Sequence, residues 1–148
     1  MNMEEEILAA VNGGDIEAVR RFVETGADVN TIRDYAGRTL LYWAAYDGNT
    51  EIARLLIQHG ADVDAADEYG ITPLMEACEG CYVETARLLI ESGANVNAMD
   101  EGLETVLDNV SSFSQPEIFA LLREAGAKRT LRYEPKNMLA RFNGSVIC

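Results

Sequence analysis

Hydrophobic residues recur along the chain at helical spacing in two closely similar segments. Residues 51–57 and 84–90 each place isoleucine and leucine on one side of a helix, with glutamate and arginine on the other. Gly60 and Gly93 follow these segments, and a glycine just past the last apolar turn is typical of a helix that ends in a left-handed residue. The pattern therefore predicts two equivalent amphipathic helices.

A shorter helix is predicted before each of these amphipathic helices. Thr72 and Pro73 precede Leu74, Ala77 and Cys78. Proline suits the first position of a helix because its ring fixes φ, and the small apolar residues follow at helical spacing. Each unit is therefore predicted to contain a short inner helix, a glycine-containing turn and a longer outer helix.

The units repeat about every 33 residues. Three aspartates open related blocks at this spacing: Asp34, Asp67 and Asp100. Threonine and leucine positions keep the same spacing: Thr39, Thr72, Thr105, Leu41, Leu74 and Leu107. The closing segment 60–64 returns as 93–97, and Asp and Gly residues between the units predict a protruding, hairpin-like loop. Such a period is the signature of a repeat protein.

These residues resemble the ankyrin repeat. The similarity is carried by residues 67–74, which include Thr72-Pro73-Leu74, by residues 84–89 and by residues 93–97. It covers residues 3–127. The resemblance implies an all-α ankyrin-repeat solenoid, in which helix-turn-helix repeats are joined by hairpin-like finger loops.

Two departures from the family pattern affect the expected structure. Tyr42, Met75 and Asp108 occupy the position where the family usually has histidine, so we expect these repeats to lose a bond to the finger backbone. In the last repeat, Gly102 precedes Leu103, which occupies the usual glycine position. We expect that finger to be distorted.

The repeats define the predicted domain organisation. An ankyrin-repeat domain spans residues 1–127, with repeats at approximately 3–33, 34–66, 67–99 and 100–127. Residues 128–148 form a tail with five basic residues and one acidic residue. We expect this tail to contain a short helix that covers the last repeat, and the alternative is an arm that contacts a partner.

Charge and composition narrow the possible partners and the setting. The formal net charge of −13 repels phosphate backbones, so nucleic acid is a poor candidate partner. Three cysteines give no disulfide framework, and the N-terminus lacks the features of a secretory signal. No apolar stretch approaches the roughly 20 residues that a membrane-spanning helix needs. We therefore expect a cytoplasmic protein that does not enter membranes and is monomeric when free.

Catalytic and metal-binding chemistry is not predicted. Cys78 and Cys81 form a Cys-x-x-Cys motif, but no second cysteine pair or suitably spaced histidine pair completes a zinc site. His59 is the single histidine and lies at the end of an outer helix, where histidine is a common terminating residue. We expect no enzyme activity, no cofactor and no metal.

The resemblance to ankyrin repeats also indicates where a partner would bind. In this family, the finger tips and the exposed sides of the inner helices form one concave surface. The corresponding candidate residues are Tyr35, Arg38, Tyr42, Trp43, Tyr46, Asp47, Glu68, Tyr69, Ile71, Met75, Glu76, Glu79, Glu101, Glu104 and Asp108. This surface is aromatic in the second repeat and acidic in the third and fourth. Packing of Tyr42 or Trp43 between repeats is the alternative for those two residues.

Three functional hypotheses follow from these features. The first is a protein–protein interaction module whose partner has a basic surface. A narrower version is a stand-alone inhibitor or immunity protein that covers a basic toxin or nuclease, because the charges would be complementary. The third hypothesis is an acidic decoy that imitates nucleic acid.

Overall fold

The computed structural model describes residues 2–130, and eight helices lie within that range. Their bounds are α1 Met3–Asn12, α2 Ile16–Glu24, α3 Leu40–Tyr46, α4 Thr50–Gln58, α5 Pro73–Glu79, α6 Val83–Glu91, α7 Val106–Asn109 and α8 Pro116–Glu124. The first six helices pack as three helix-turn-helix pairs, and α7 and α8 belong to a fourth, less regular unit. Among the described residues, extended pairing is limited to isolated bridges between Arg33 and Thr39 and between Met99 and Thr105.

The eight helices form two rows that share one core. The inner helices α1, α3, α5 and α7 pack in sequence, as do the outer helices α2, α4, α6 and α8. Equivalent leucines of successive repeats fill the core, and each is at most 1% exposed: Leu41, Leu74, Leu107, Leu56, Leu89 and Leu122. A helix pair alone could not bury these side chains, so stacking supplies the hydrophobic stabilisation. The predicted all-α ankyrin solenoid is confirmed.

The helices begin and end at capping residues that can be recognised in the sequence. Thr39 and Thr72 precede α3 and α5, and their hydroxyl oxygens accept bonds from the Tyr42 and Met75 amides at 3.1 and 3.3 Å. Pro73 is the first residue of α5, as predicted. Outer helices α4 and α6 are followed by left-handed glycines, with φ of 88° at Gly60 and 96° at Gly93. Both predicted helix ends are therefore confirmed.

Side chains in the loops link each repeat to the next. Asn30 accepts a bond from the Asp62 amide at 2.8 Å, and Asp64 accepts one from the Asn95 amide at 2.7 Å. The equivalent link after the fourth repeat runs from the Lys128 amide to the Asn97 side chain at 2.8 Å. The bonding pattern of the repeats therefore continues at least to Lys128.

The finger of the fourth repeat keeps its regular shape, so the expected distortion was wrong. Leu103 adopts φ of +60° and donates its amide to the Asp100 carbonyl at 2.9 Å. The equivalent Gly70 has φ of +78° and makes the same bond to Asp67 at 3.1 Å. The turn bonds hold Leu103 in a conformation that costs an L-residue about 1 to 2 kcal/mol. The hydrogen bonds of the turn thus override the local preference of leucine.

The fourth repeat has a shortened inner helix. Helix α7 covers four residues and ends at Asn109, and the backbone of the following Val110 is extended. The Ser111 hydroxyl then accepts bonds from the Phe113 and Ser114 amides at 3.1 and 3.3 Å, which forms a turn without glycine. The predicted covering helix of the tail lies outside the described residues. Within residues 2–130, no helix combines the length and apolar character required to cross a membrane.

Candidate protein-binding surface

The three finger tips form a continuous row along one edge of the solenoid. Their turns comprise residues 34–37, 67–70 and 100–103. Glu68 donates its amide to the Ala36 carbonyl at 3.0 Å, and Glu101 donates to the Tyr69 carbonyl at 2.9 Å. These bonds fix the separation between neighbouring tips. Side chains on adjacent fingers are therefore presented as one surface.

Each finger turn is held by the aspartate that opens it. Asp34 accepts bonds from the Ala36 and Arg38 amides at 2.9 and 3.0 Å. Asp67 accepts from the Tyr69 and Ile71 amides, both at 2.9 Å. Asp100 accepts from the Glu104 amide at 3.1 Å. The 33-residue aspartate period therefore reflects carboxylates that bond to amides of the finger turns.

Arg38 organises the junction between the fingers of the second and third repeats. Its guanidinium lies 3.8 Å from carboxylate oxygens of both Asp34 and Asp67. The Cζ atom also lies over the rings of Trp43 and Tyr42, at 5.3 and 5.6 Å from their centroids. These distances are typical of cation–π contacts. We refer to Asp34, Arg38, Tyr42, Trp43 and Asp67 as the Arg38 cluster.

Hydrogen bonds hold both aromatic members of the Arg38 cluster. The Trp43 indole Nε1 donates to Asp34 at 3.2 Å, and the Tyr42 hydroxyl donates to Glu76 at 2.6 Å. Burial, together with the Glu76 carboxylate, raises the pKa of the Tyr42 phenol. Burial also raises the pKa of Glu76, although the bond from Tyr42 opposes that shift. The cluster is therefore a fixed support rather than a mobile surface group.

Exposed aromatic side chains surround this support. Tyr35 is 93% exposed, Tyr46 is 52% exposed and Tyr69 is 51% exposed. Tyr46 packs edge-to-face on Trp43, with ring centroids 5.4 Å apart. The Glu68 carboxylate, as a hydrogen-bond acceptor and as a charge, raises the pKa of the Tyr69 phenol. Aromatic rings and carboxylates are therefore neighbours on this surface.

Most of the sequence-predicted residues lie on the accessible face. Seven are exposed: Tyr35, Tyr46, Asp47, Glu68, Tyr69, Glu79 and Glu101. Six are partly buried: Arg38, Trp43, Ile71, Met75, Glu76 and Glu104. The two remaining residues, Tyr42 and Asp108, are buried.

The structure removes Tyr42 and Asp108 from the contact surface. Tyr42 is 4% exposed and lies in the Arg38 cluster, in agreement with the alternative that it packs between repeats. Asp108 is 1% exposed and accepts bonds from the Thr105 amide and hydroxyl at 2.8 and 3.0 Å. Both residues can support a partner site, but neither side chain can contact a partner directly in this conformation.

The buried Asp108 also corrects an expectation about the missing histidines. Besides its bonds to Thr105, it accepts the Thr130 amide at 3.0 Å. Asp108 therefore still bonds to the backbone that follows the repeat, and its carboxylate is the acceptor of that bond. Tyr42 instead links its helix to Glu76. The sequence shows that Tyr42 and Asp108 replace the histidines, but it does not show their bonding partners. These partners, Glu76 and Thr130, are 34 and 22 residues away.

Leu103 is absent from the sequence-predicted residues, although it is 50% exposed at the finger tip of the fourth repeat. The signal was present, since a leucine in a glycine position of a tight turn must point outward. Tyr82 and Phe113 are also exposed, but they lie away from the fingers, beside the turns between inner and outer helices. The Tyr82 ring covers Gly48 and Gly80, where an added Cβ would overlap it.

Cys78 occupies a structural position. It is 1% exposed in the core, and burial raises the pKa of its thiol to about 12. The Gln115 side chain donates to the Cys78 carbonyl at 3.0 Å, which joins the third and fourth repeats. Within the described part of the chain, no group of three or more potential metal ligands is assembled.

Comparison with known families agrees with this architecture. The family described as ankyrin repeats, in three copies, matches residues 7–100. This match covers more than half of the chain. The chain therefore belongs to the ankyrin-repeat family, whose repeats form a protein–protein interaction module without catalytic machinery of its own.

Several curated proteins are similar to parts of the chain. Protein phosphatase 1 regulatory subunit 27 of Homo sapiens is 40% identical over 73 residues, which cover 49% of this chain and 47% of the relative. Potassium channel AKT3 of Oryza sativa subsp. japonica is 40% identical over 75 residues, or 51% of this chain and 8% of the channel. The 2-5A-dependent ribonuclease of Mus musculus is 38% identical over 71 residues, or 48% of this chain and 10% of the ribonuclease.

These relatives share repeats with the chain rather than a whole-protein architecture. The matched segment covers less than half of each relative named here. The channel and the ribonuclease consist mostly of sequence that this chain does not match, so their activities are properties of those proteins. The shared element is the interaction module.

Proposed function

We propose that this protein binds another protein through the finger tips and the inner helices of its second and third repeats. The main support is the concentration of exposed aromatic side chains at this one place. Tyr35, Tyr46 and Tyr69 are each at least half exposed, and they surround the Arg38 cluster. Tyrosine and tryptophan are the side chains that most often dominate the binding energy of an interface.

The charges on this surface favour a basic partner. Asp47, Glu68, Glu79 and Glu101 are exposed beside the aromatic residues. Within residues 2–130, the salt bridges of the chain do not involve these four carboxylates. Complementary positive charges would accelerate association and orient the partner.

The fixed Arg38 cluster supports binding through preorganisation. Trp43 is held by Asp34 and by its edge-to-face contact with Tyr46. Side chains that are already ordered lose less conformational entropy when a partner binds. The neighbouring tyrosines can therefore contribute apolar contact area at a low entropic cost.

A paired variant tests this proposal. The full chain, with and without Tyr46→Ala and Tyr69→Ala, is used to capture proteins from cells of the source organism. A protein that the double variant loses is purified, and its affinity is measured by calorimetry. We expect a decrease of about 100-fold, because two hot-spot tyrosines are removed.

Phe113→Ala is the matched control, since Phe113 is 93% exposed but lies in the turn between α7 and α8. Its affinity should equal that of the original chain. Equal affinities of the double variant and the control would contradict the proposed surface. No observation in the structure or among the relatives favours the inhibitor or decoy hypothesis. The cytoplasmic setting and the monomeric free state stay predictions from the sequence.

A further inference from the structure

The protein itself shows how its aromatic and acidic side chains accommodate a guanidinium group. Arg38 is stacked over Trp43 and Tyr42 while two carboxylates, Asp34 and Asp67, lie at its edge. Its side chain is 24% exposed, so the group is largely removed from water. A guanidinium suits this environment because it is flat, weakly hydrated and able to stack and pair at the same time.

Two half-exposed tyrosines beside this cluster have acidic neighbours in the sequence. Tyr46 is followed by Asp47, and Tyr69 is preceded by Glu68, so each half-exposed ring has an acidic neighbour. No basic side chain within residues 2–130 forms a salt bridge with Asp47 or Glu68.

Both tyrosines lie beside the Arg38 cluster. Tyr46 contacts Trp43 directly, with an interplanar angle of 72°. Tyr69 is held beside the cluster because its amide bonds to Asp67, whose carboxylate also faces Arg38. Both tyrosine side chains are about half exposed and therefore accessible to a partner.

We propose that the partner presents an arginine-bearing segment whose guanidinium groups stack on Tyr46 and Tyr69 and pair with Asp47 and Glu68. This inference rests on the proposed function and names the chemistry of the partner. Arginine is favoured over lysine because a guanidinium stacks on aromatic rings and pairs with a carboxylate in the same plane. An ammonium group is more strongly hydrated and acts as a point charge.

The test uses three synthetic peptides of equal length, acetylated and amidated at their ends. Each alternates glycine with three copies of arginine, lysine or citrulline. Lysine keeps the charge without the planar group, and citrulline keeps the shape without the charge. Binding to the full chain is measured by fluorescence anisotropy at 0.15 M salt, where the Debye length is about 8 Å.

The arginine peptide should bind about tenfold more tightly than the lysine peptide, and the citrulline peptide should bind more weakly than both. Tyr46→Ala with Tyr69→Ala should remove the preference for arginine, while Phe113→Ala should retain it. Asp47→Asn with Glu68→Gln should weaken binding of both cationic peptides. Circular dichroism of each variant verifies that the helices are intact.

Equal binding of the arginine and lysine peptides would overturn the inference, because charge alone would then explain the contact. An arginine preference that survives the double tyrosine change would also overturn it, as would arginine binding too weak to detect. These results are distinguishable from failure of the proposed function. If binding of a captured protein depends on Tyr46 and Tyr69 but the peptides show no arginine preference, the proposed binding surface is supported and the proposed guanidinium contact is overturned.

Discussion

At the junction of the second and third repeats, a cation stacked on aromatic rings connects two fingers, whereas in the fourth repeat a buried carboxylate joins the inner helix to the chain that follows. Arg38 makes the first connection through Asp34 and Asp67. Asp108 makes the second through Thr105 and Thr130. The positions Ile71 and Glu104, which correspond to Arg38 one and two repeats later, carry no cation.

The difference separates what the fold requires from what the surface can vary. The second, third and fourth repeats need their core leucines, and the described fingers all need their opening aspartate. The groups between these fixed positions are interchangeable as long as buried polar atoms are satisfied. The second and third repeats use this freedom to expose aromatic rings, while the fourth repeat uses it to complete the end of the stack.

Removal of Asp108 should have the largest effect on stability. Asp108→Ala leaves the Thr105 and Thr130 amides without their acceptor, and we expect a loss of about 3 kcal/mol in the free energy of unfolding. Urea denaturation followed by circular dichroism measures this change. The exposed neighbour Asn109 provides the control, since Asn109→Ala should change stability by less than about 0.5 kcal/mol. Equal stabilities of the two variants would show that the buried carboxylate does not hold the fourth repeat.

Removal of the Arg38 charge should cost less. Arg38→Met keeps an apolar chain over Trp43 but leaves Asp67, whose side chain is 2% exposed, without its cation. We expect a loss of about 1 to 2 kcal/mol, because Asp67 retains its bonds to the finger amides. The same denaturation experiment applies, with the exposed Arg54→Met on α4 as control. A loss above that for Asp108→Ala would reverse the ranking of the two connections.

Replacement of Leu103 in the fourth finger should give the smallest change in the free energy of unfolding, and this change should be stabilising. Leu103→Gly removes a Cβ from a residue at φ of +60°, and we expect stabilisation by up to about 1 kcal/mol after the greater flexibility of the unfolded chain is subtracted. Thermal unfolding measures this difference. Gly70→Ala is the reciprocal variant and should destabilise, because its Cβ would lie 3.0 Å from Asp100 Cα at φ of +78°. Stabilisation by both changes would contradict this account.

The fold was largely predictable because its determinants are local and periodic. Thr72-Pro73, the glycines at 60 and 93 and the leucine spacing each specify a short-range feature, and the repeat multiplies the signal. The finger around Leu103 was predicted wrongly for a related reason. The preference for glycine at this turn position predicted a distorted finger, but the hydrogen bonds of the turn impose the regular shape on Leu103.

The candidate surface was less predictable than the fold. Tyr46 and Tyr69 are exposed, while Tyr42 is buried, although all three are tyrosines in related parts of the repeats. Whether each tyrosine is buried or exposed depends on side chains that are far away in sequence, such as Glu76 for Tyr42. A list based on repeat position alone therefore mixes supporting residues with accessible ones.

The sequence by itself determined the period, the helix pairs, the core leucines and the acidic character of this protein, since each depends on residue type and spacing along the chain. Only the tertiary structure decided that Arg38 is shared between two fingers, that Asp108 is buried and that the half-exposed rings of Tyr46 and Tyr69 lie beside one fixed cluster. The physical reason is that burial, ion pairing and exposure depend on neighbours about one repeat away. Stacking of the repeats brings those neighbours into contact.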